Sequence, residues 1–206
     1  MITVGELYEH LDATIPFAWA EPWDRVGLLV GDRDAVVSRV LVSLDPTRAA
    51  LDRAVEEGAN VLVTHHPAFL DPLEAVVAAP GAAGVAFEAA RRGISLIACH
   101  TNLDRSPQGS DALPAALGLT VRGPLERRGE ADRPDLPSAT PLGGRLCEAG
   151  ECGTLAALAE TVGTRLGVGL PASGETWPHA SRWWLSRRVP VARSSRTLSP
   201  RTPRSW

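Results

Sequence analysis

Three short runs rich in valine, leucine and isoleucine, at 36–44, 61–63 and 94–99, constrain the fold of this 206-residue chain more than any other feature. Each run fits one buried strand, and none approaches the roughly 20 apolar residues that a membrane-spanning helix needs. Segments typical of helices lie between the runs, at about 45–58 and 82–92. Strands that alternate with helices are typical of βαβ units around a parallel sheet. We therefore predict an α/β fold without a transmembrane helix.

Polar side chains follow directly after each of these runs. Asp45 comes after the first, His65 and His66 after the second, and the segment from His100 to Asp104 after the third. The carboxyl ends of parallel strands share one edge, which is where open α/β sheets bind ligands. Side chains that are far apart in the sequence should therefore meet at this edge.

The adjacent histidines and the aspartate at 104 suggest a metal site. Successive side chains of extended backbone point to opposite sides, so His65 and His66 can each face one of two metal ions. Asp104 can bridge the ions and hold them about 3.5–4 Å apart, the separation at which a metal pair polarises substrate and activates water. Mixed nitrogen and oxygen ligands suit zinc, iron, manganese or cobalt without choosing among them. We predict that His65, His66 and Asp104 bind two divalent ions; the alternative is a solvated His-His-Pro loop.

Several neighbouring residues keep more than one interpretation. His100 is a direct ligand, a residue that orients a ligand or a water, or a core histidine bonded to backbone. Asp45 is expected to cap the following helix, with contact to the site as the alternative. Trp23 and Asp24 precede a strand at 27–31, either as a packed tryptophan with a loop carboxylate or as a rim that faces substrate.

Composition divides the chain into four segments. Residues 1–122 carry the α/β lobe, 123–140 form a polar linker, 141–176 begin a second lobe, and 177–206 form a tail rich in arginine, serine, proline and tryptophan. The tail has seven arginines and no acidic residue, and we expect it to be disordered. Binding of nucleic acid by the tail is the less favoured alternative. Apolar spacing predicts further helices at about 4–11, 111–117 and 154–166.

The cysteines and the N-terminal sequence restrict the class of protein further. Cys99, Cys147 and Cys152 include no Cys-x-x-Cys spacing, which argues against a zinc knuckle and a disulfide framework. No basic stretch followed by an apolar segment and a small-residue cleavage site opens the sequence. We expect reduced thiols, with Cys99 packed in the core, and a cytoplasmic protein without membrane contact.

A set of short motifs is shared with a known family. They are Trp23-Asp24 with Val26-Gly27-Leu28, Leu44-Asp45-Pro46-Thr47, Gly58-Ala59, Thr64-His65-His66-Pro67, His100-Thr101-Asn102-Leu103-Asp104, Gly109-Ser110-Asp111 and Gly143-Gly144-Arg145. With these motifs, over about residues 1–170, the sequence resembles the Nif-three-like proteins, often named GTP cyclohydrolase one, type two homologs. The resemblance implies a two-lobed α/β fold, a dinuclear metal site that faces an inner cavity, and a toroidal homohexamer. It also implies that His65, His66 and Asp104 are metal ligands.

The sequence departs from the family pattern near its C-terminus. There the family supplies further ligands from a histidine and from a glutamate four residues later. Here the fourth residue after His179 is Trp183, so neither ligand can be assigned. We expect an incomplete second lobe in which residues 177–206 replace the usual ending.

The leading functional hypothesis is a metal-dependent, hydrolase-like protein in which two ions generate a bound hydroxide. The resemblance suggests a small-molecule substrate, specifically a nucleotide such as GTP, although the sequence contains no phosphate-binding motif and assigns no catalytic side chain. The competing hypothesis is a non-catalytic metal-binding or interaction protein with an incomplete site.

Overall fold

The computed structural model describes residues 1–125, 144–148, 150 and 152–169, together with the backbone of 183–185. Within this described part, no helix has the length and hydropathy that crossing a membrane requires. The helices are α1 (Val4–Thr14), α2 (Arg48–Glu56), α3 (Ala82–Arg91), α4 (Thr101–Arg105), α5 (Pro107–Ser110), α6 (Ala112–Ala116) and α7 (Leu155–Leu166). The strands are β1 (Gly27–Val30), β2 (Val40–Ser43), β3 (Val61–Thr64), β4 (Ser95–Ala98), β5 (Thr120–Pro124), β6 (Arg145–Glu148) and β7 (Trp183–Leu185).

The larger sheet has four strands in the order β1-β4-β3-β2. Strands β2, β3 and β4 are parallel, and α2 and α3 connect them, so the predicted α/β class and its βαβ units are confirmed. Strand β1, whose direction was not predicted, pairs antiparallel with β4, so the sheet is mixed. A parallel connection needs a long crossover, usually a helix, and no helix lies between β1 and β2. This short connection therefore favours the antiparallel direction of β1.

The two central strands of the sheet, β3 and β4, are covered on both faces. The prediction of a buried strand at 36–44 is wrong, because β2 lies at the sheet edge, where Val40 and Val42 are exposed. Leu62 and Leu96 point into one cluster with Leu51 of α2 and Ala89 of α3. Their neighbours in the strands, such as Val61, point to the opposite face, into a cluster with residues of α1. Burial on both faces explains why β3 and β4 read as continuous apolar runs rather than as alternating patterns.

Helix α2 begins later than the sequence suggested. Its N-cap is Thr47, whose side chain accepts a hydrogen bond from the backbone N–H of Ala50 at 3.1 Å. The prediction that Asp45 caps this helix is therefore wrong. Strand β2 ends at Ser43, which leaves the Asp45 carboxylate in the connecting loop, where it contacts a histidine instead.

The smaller sheet is antiparallel, in the order β5-β6-β7. Helix α7 follows β6 at the position that the apolar spacing predicts, and Thr154 is its N-cap. Strand β5 extends to Pro124 and so enters the segment predicted as a linker at 123–140. Beyond Leu125, that segment lies outside the described residues. In the predicted tail, 183–185 form β7, which fits the preference of tryptophan for strands. The remainder of 177–206 also lies outside the described residues. The division at 141–176 stays a prediction.

Candidate metal centre

The pairing of β3 with β4 brings the two histidine motifs together. Thr64, the last residue of β3, lies opposite Ala98, the last residue of β4. The backbone N–H of Cys99 then donates to the carbonyl of Thr64 at 2.8 Å, which extends the pairing by one residue. His65 and His100 therefore leave the sheet side by side at its carboxyl edge, as the sequence predicts.

Three imidazole rings form a compact cluster at this edge. The ring centroid of His65 lies 5.0 Å from the centroid of His66 and 5.0 Å from that of His100. The centroids of His66 and His100 lie 5.7 Å apart. One ligand nitrogen from each ring lies within 4.8 Å of the others, so the three histidines could hold a metal ion. His100 is thus part of the cluster rather than a core histidine bonded to backbone.

The rings of His65 and His66 are fixed through Nδ1. His65 Nδ1 lies 3.0 Å from the carbonyl oxygen of Cys99, and His66 Nδ1 lies 2.6 Å from Oδ1 of Asp45. A carbonyl and a carboxylate only accept hydrogen bonds, so Nδ1 of each ring donates and Nε2 is left with its lone pair. This is the arrangement in which an imidazole binds a metal while a neighbouring group orients it.

Asp104 lies next to His65. Its Oδ1 is 3.8 Å from His65 Nε2, and its side chain is largely buried. Burial lowers the pKa of His65, while Asp104 and the hydrogen bond with the Cys99 carbonyl act in the opposite direction and the other two histidines add to the decrease. The neutral imidazole, which is the form that binds metal, is therefore favoured near neutral pH.

Asp24 is the site residue whose importance the sequence did not reveal. Its side chain is 0% exposed, and Oδ1 lies 2.9 Å from His100 Nδ1. Although burial raises the pKa of Asp24, hydrogen bonds from His100 and Thr101 lower it to about 2. Asp24 reaches the site because β1 runs antiparallel to β4. The residues that precede β1 therefore lie at the sheet edge at which β4 ends.

Trp23 and Cys99 differ in their relation to the cluster. Trp23 is 58% exposed, and its ring contacts His100 edge-on at a centroid distance of 6.3 Å, so it forms a rim and is not packed in the core. Cys99 is buried, and burial raises the pKa of its thiol to about 11. As expected, this thiol belongs to the packing; the backbone carbonyl of Cys99 is the group that contacts the cluster.

Comparison with known proteins agrees with this architecture. The family model described as Duf34/NIF3 (NGG1p interacting factor 3) matches residues 2–181. A Streptomyces coelicolor protein named GTP cyclohydrolase 1 type 2 homolog is 39% identical over 167 residues, which cover 81% of this chain and 57% of that protein. A Staphylococcus aureus protein with the same name is 39% identical over 117 residues, which cover 56% of this chain and 32% of its own length. The chain thus spans between a third and three fifths of these relatives.

A solved structure shows the same fold. The crystal structure of a Staphylococcus aureus hypothetical protein superposes with a TM-score of 0.69 at 28% sequence identity. The match covers 81% of this chain and 65% of that protein.

Proposed function

The chain belongs to the Duf34/NIF3 family, and from that premise and the geometry of its histidine cluster we propose that it binds two divalent metal ions and contributes to a hydrolytic reaction. The observation that carries the proposal is the set of three imidazoles whose ligand nitrogens lie within 4.8 Å of one another, beside a largely buried carboxylate.

The donor set fits a transition metal. Imidazole nitrogen and carboxylate oxygen are the ligands that zinc, iron, manganese and cobalt accept in proteins. We assign His65 and His66 as ligands through Nε2, because their Nδ1 atoms already donate to Cys99 and Asp45. Asp104, whose Oδ1 lies 3.8 Å from His65 Nε2, would be the carboxylate that holds both ions. Bound ions would polarise the substrate and lower the pKa of a bound water.

The protein groups around the ligands hold them in place. The Cys99 carbonyl is fixed by the β3–β4 pairing, so it orients the His65 ring rigidly. The contact between His66 and Asp45 is looser, since these side chains are 45% and 52% exposed. Two four-coordinate ions need more ligands than His65, His66, His100 and Asp104 provide. In this proposal, water, substrate or groups outside the described residues occupy the remaining coordination positions of the ions.

The substrate class is proposed from the relatives. Those that match this chain carry the name GTP cyclohydrolase 1 type 2 homolog, so a nucleotide is the first substrate to test. The exposed ring of Trp23, edge-on to His100, offers a planar surface beside the cluster on which a base can stack. A homohexamer, expected from the resemblance, is part of the same proposal and is tested by light scattering of the purified protein. The cytoplasmic location, expected from the N-terminal sequence, is tested by cell fractionation.

Metal analysis tests the proposal directly. Purified full-length chain, stripped and reloaded with zinc, is expected to retain about two equivalents per chain, and His65→Ala is expected to retain at most one. His10→Ala is the matched control, because His10 is exposed on α1 and lies outside the cluster. One equivalent or none in the unmodified protein would favour the non-catalytic or incomplete-site hypothesis. Loss of GTP hydrolysis in His65→Ala, but not in His10→Ala, would support the hydrolytic part.

A further inference from the structure

The buried carboxylate of Asp24 accepts four hydrogen bonds. The backbone N–H of Arg25 and Nδ1 of His100 approach Oδ1 at 2.8 and 2.9 Å. The backbone N–H of Thr101 approaches Oδ2 at 3.0 Å, and the Thr101 hydroxyl bonds the same oxygen. An ionised carboxylate has about four acceptor positions, so the capacity of Asp24 is filled.

The direction of these hydrogen bonds follows from the groups that surround them. The Thr101 hydroxyl accepts a hydrogen bond from the backbone N–H of Glu21 at 2.9 Å, which leaves its own hydrogen to donate to Asp24. Backbone N–H groups can only donate. These three donated hydrogen bonds stabilise the ionised form of the carboxyl group. Since an imidazole is more basic than such a carboxylate, the hydrogen between the two side chains belongs to His100 Nδ1, which donates to Asp24.

We infer that Asp24 is a positioning residue whose ionised carboxylate keeps the proton of His100 on Nδ1 and leaves the lone pair of His100 Nε2 to the cluster. The same carboxylate joins the loop before β1 to the first residue of α4, so it fixes both the tautomer and the place of the ring. The assignment of the His100 tautomer rests on the hydrogen bonds alone. Its consequence for metal binding rests on the proposed metal centre.

The pair formed by His66 and Asp45 provides an internal comparison. It has the same chemistry, with Nδ1 facing a carboxylate oxygen at 2.6 Å, but both side chains are about half exposed. Water can replace Asp45 there, whereas the Asp24 side chain is enclosed and water cannot reach it. Removal of the negative charge should therefore disturb His100 far more than the equivalent change disturbs His66.

Asp24→Asn tests the inference, because an amide cannot accept all four hydrogen bonds. If the NH2 group of Asn faces His100, His100 Nδ1 must accept a hydrogen bond and the imidazole proton moves to Nε2. If the NH2 group faces Thr101 instead, two donors meet at the Thr101 backbone N–H, and the loop must shift. Two-bond ¹⁵N–¹H correlation spectra of the metal-free, ¹⁵N-histidine-labelled full chain at pH 8 distinguish the tautomers. The sequence has five histidines, and the signals that disappear in His100→Gln identify this residue.

The unmodified protein is expected to show the Nδ1–H pattern at His100. Asp24→Asn is expected to show the Nε2–H pattern or a mixture, and Asp45→Asn is expected to leave His100 unchanged. An Nε2–H pattern in the unmodified protein would overturn the inference even if Asp24→Asn does not fold. An unchanged His100 pattern in folded Asp24→Asn would overturn it as well.

Cobalt titration, followed by visible absorbance, separates this inference from the proposed function. Loss of an orienting partner typically weakens metal binding 10–100-fold, and we expect a decrease of that size in Asp24→Asn and a smaller one in Asp45→Asn. Equal affinity in Asp24→Asn and the unmodified protein would refute the positioning role. If the unmodified protein binds no cobalt, the proposed metal centre fails, and the tautomer measurement alone decides on Asp24.

Discussion

Replacement of Asp24 by asparagine should remove part of the acid sensitivity of the fold. The pKa of Asp24 is lowered from 3.8 to about 2, which at about 1.36 kcal/mol per unit corresponds to about 2 kcal/mol of stability. Residual contacts of the carboxylate in the unfolded chain reduce this difference to about 1–2 kcal/mol. Because the folded-state pKa is depressed, the contribution is fully present above about pH 4 and is lost as the pH falls from about 4 to 2.

Urea unfolding of the metal-free protein at pH 6 and pH 2.5, with a chelator present throughout, measures this contribution. The free energy of unfolding should decrease between the two pH values by about 1–2 kcal/mol more in the unmodified protein than in Asp24→Asn. Asp45→Asn controls for the change in net charge, since Asp45 is about half exposed and its pair should contribute under about 1 kcal/mol. Equal decreases in the unmodified protein and Asp24→Asn would refute the reasoning.

Three further predictions concern the fold around the site. Leu62→Ala removes a side chain that is fully buried between the sheet and its helices, so the free energy of unfolding in urea should decrease by about 2–5 kcal/mol. The control Val42→Ala, at a position 76% exposed, should change it by under about 0.5 kcal/mol. Thr47→Ala removes the N-cap of α2 and should cost about 1 kcal/mol, and no loss would refute the assigned cap. Burial raises the pKa of the Cys99 thiol to about 11, so iodoacetamide at pH 8 should label partly exposed Cys152 first, as peptide mass spectrometry would show.

The parallel part of the sheet was predictable because its signal is local. Val61 and Leu62 point to opposite faces that are both covered, so the strand reads as an uninterrupted apolar run. The position of the histidine cluster then follows from one rule, that parallel strands end at one edge. His65, His66 and His100 meet for this reason.

Two features could not be predicted because each depends on a partner far away in the sequence. Strand β1 has only four residues, and nothing within it indicates that it pairs antiparallel with β4. Asp24 reaches the site because of this antiparallel direction, so its role could not be predicted either. Asp45 and Thr47 are both good capping residues, and the choice between them involves His66, which lies 21 residues after Asp45 and binds its carboxylate.

The in-register pairing of β3 with β4 limits where this chain can gain or lose residues during evolution. Deletion of one residue from β4 would turn Leu96 and Ile97 toward the opposite faces and displace His100 by about 3.3 Å along the strand. One deletion would thus damage the core and the histidine cluster together. Insertions should be tolerated where no register is shared, as in residues 67–81 between His66 and α3. Chains of this kind should therefore vary in length in that loop, while the spacing from β4 to His100 stays constant.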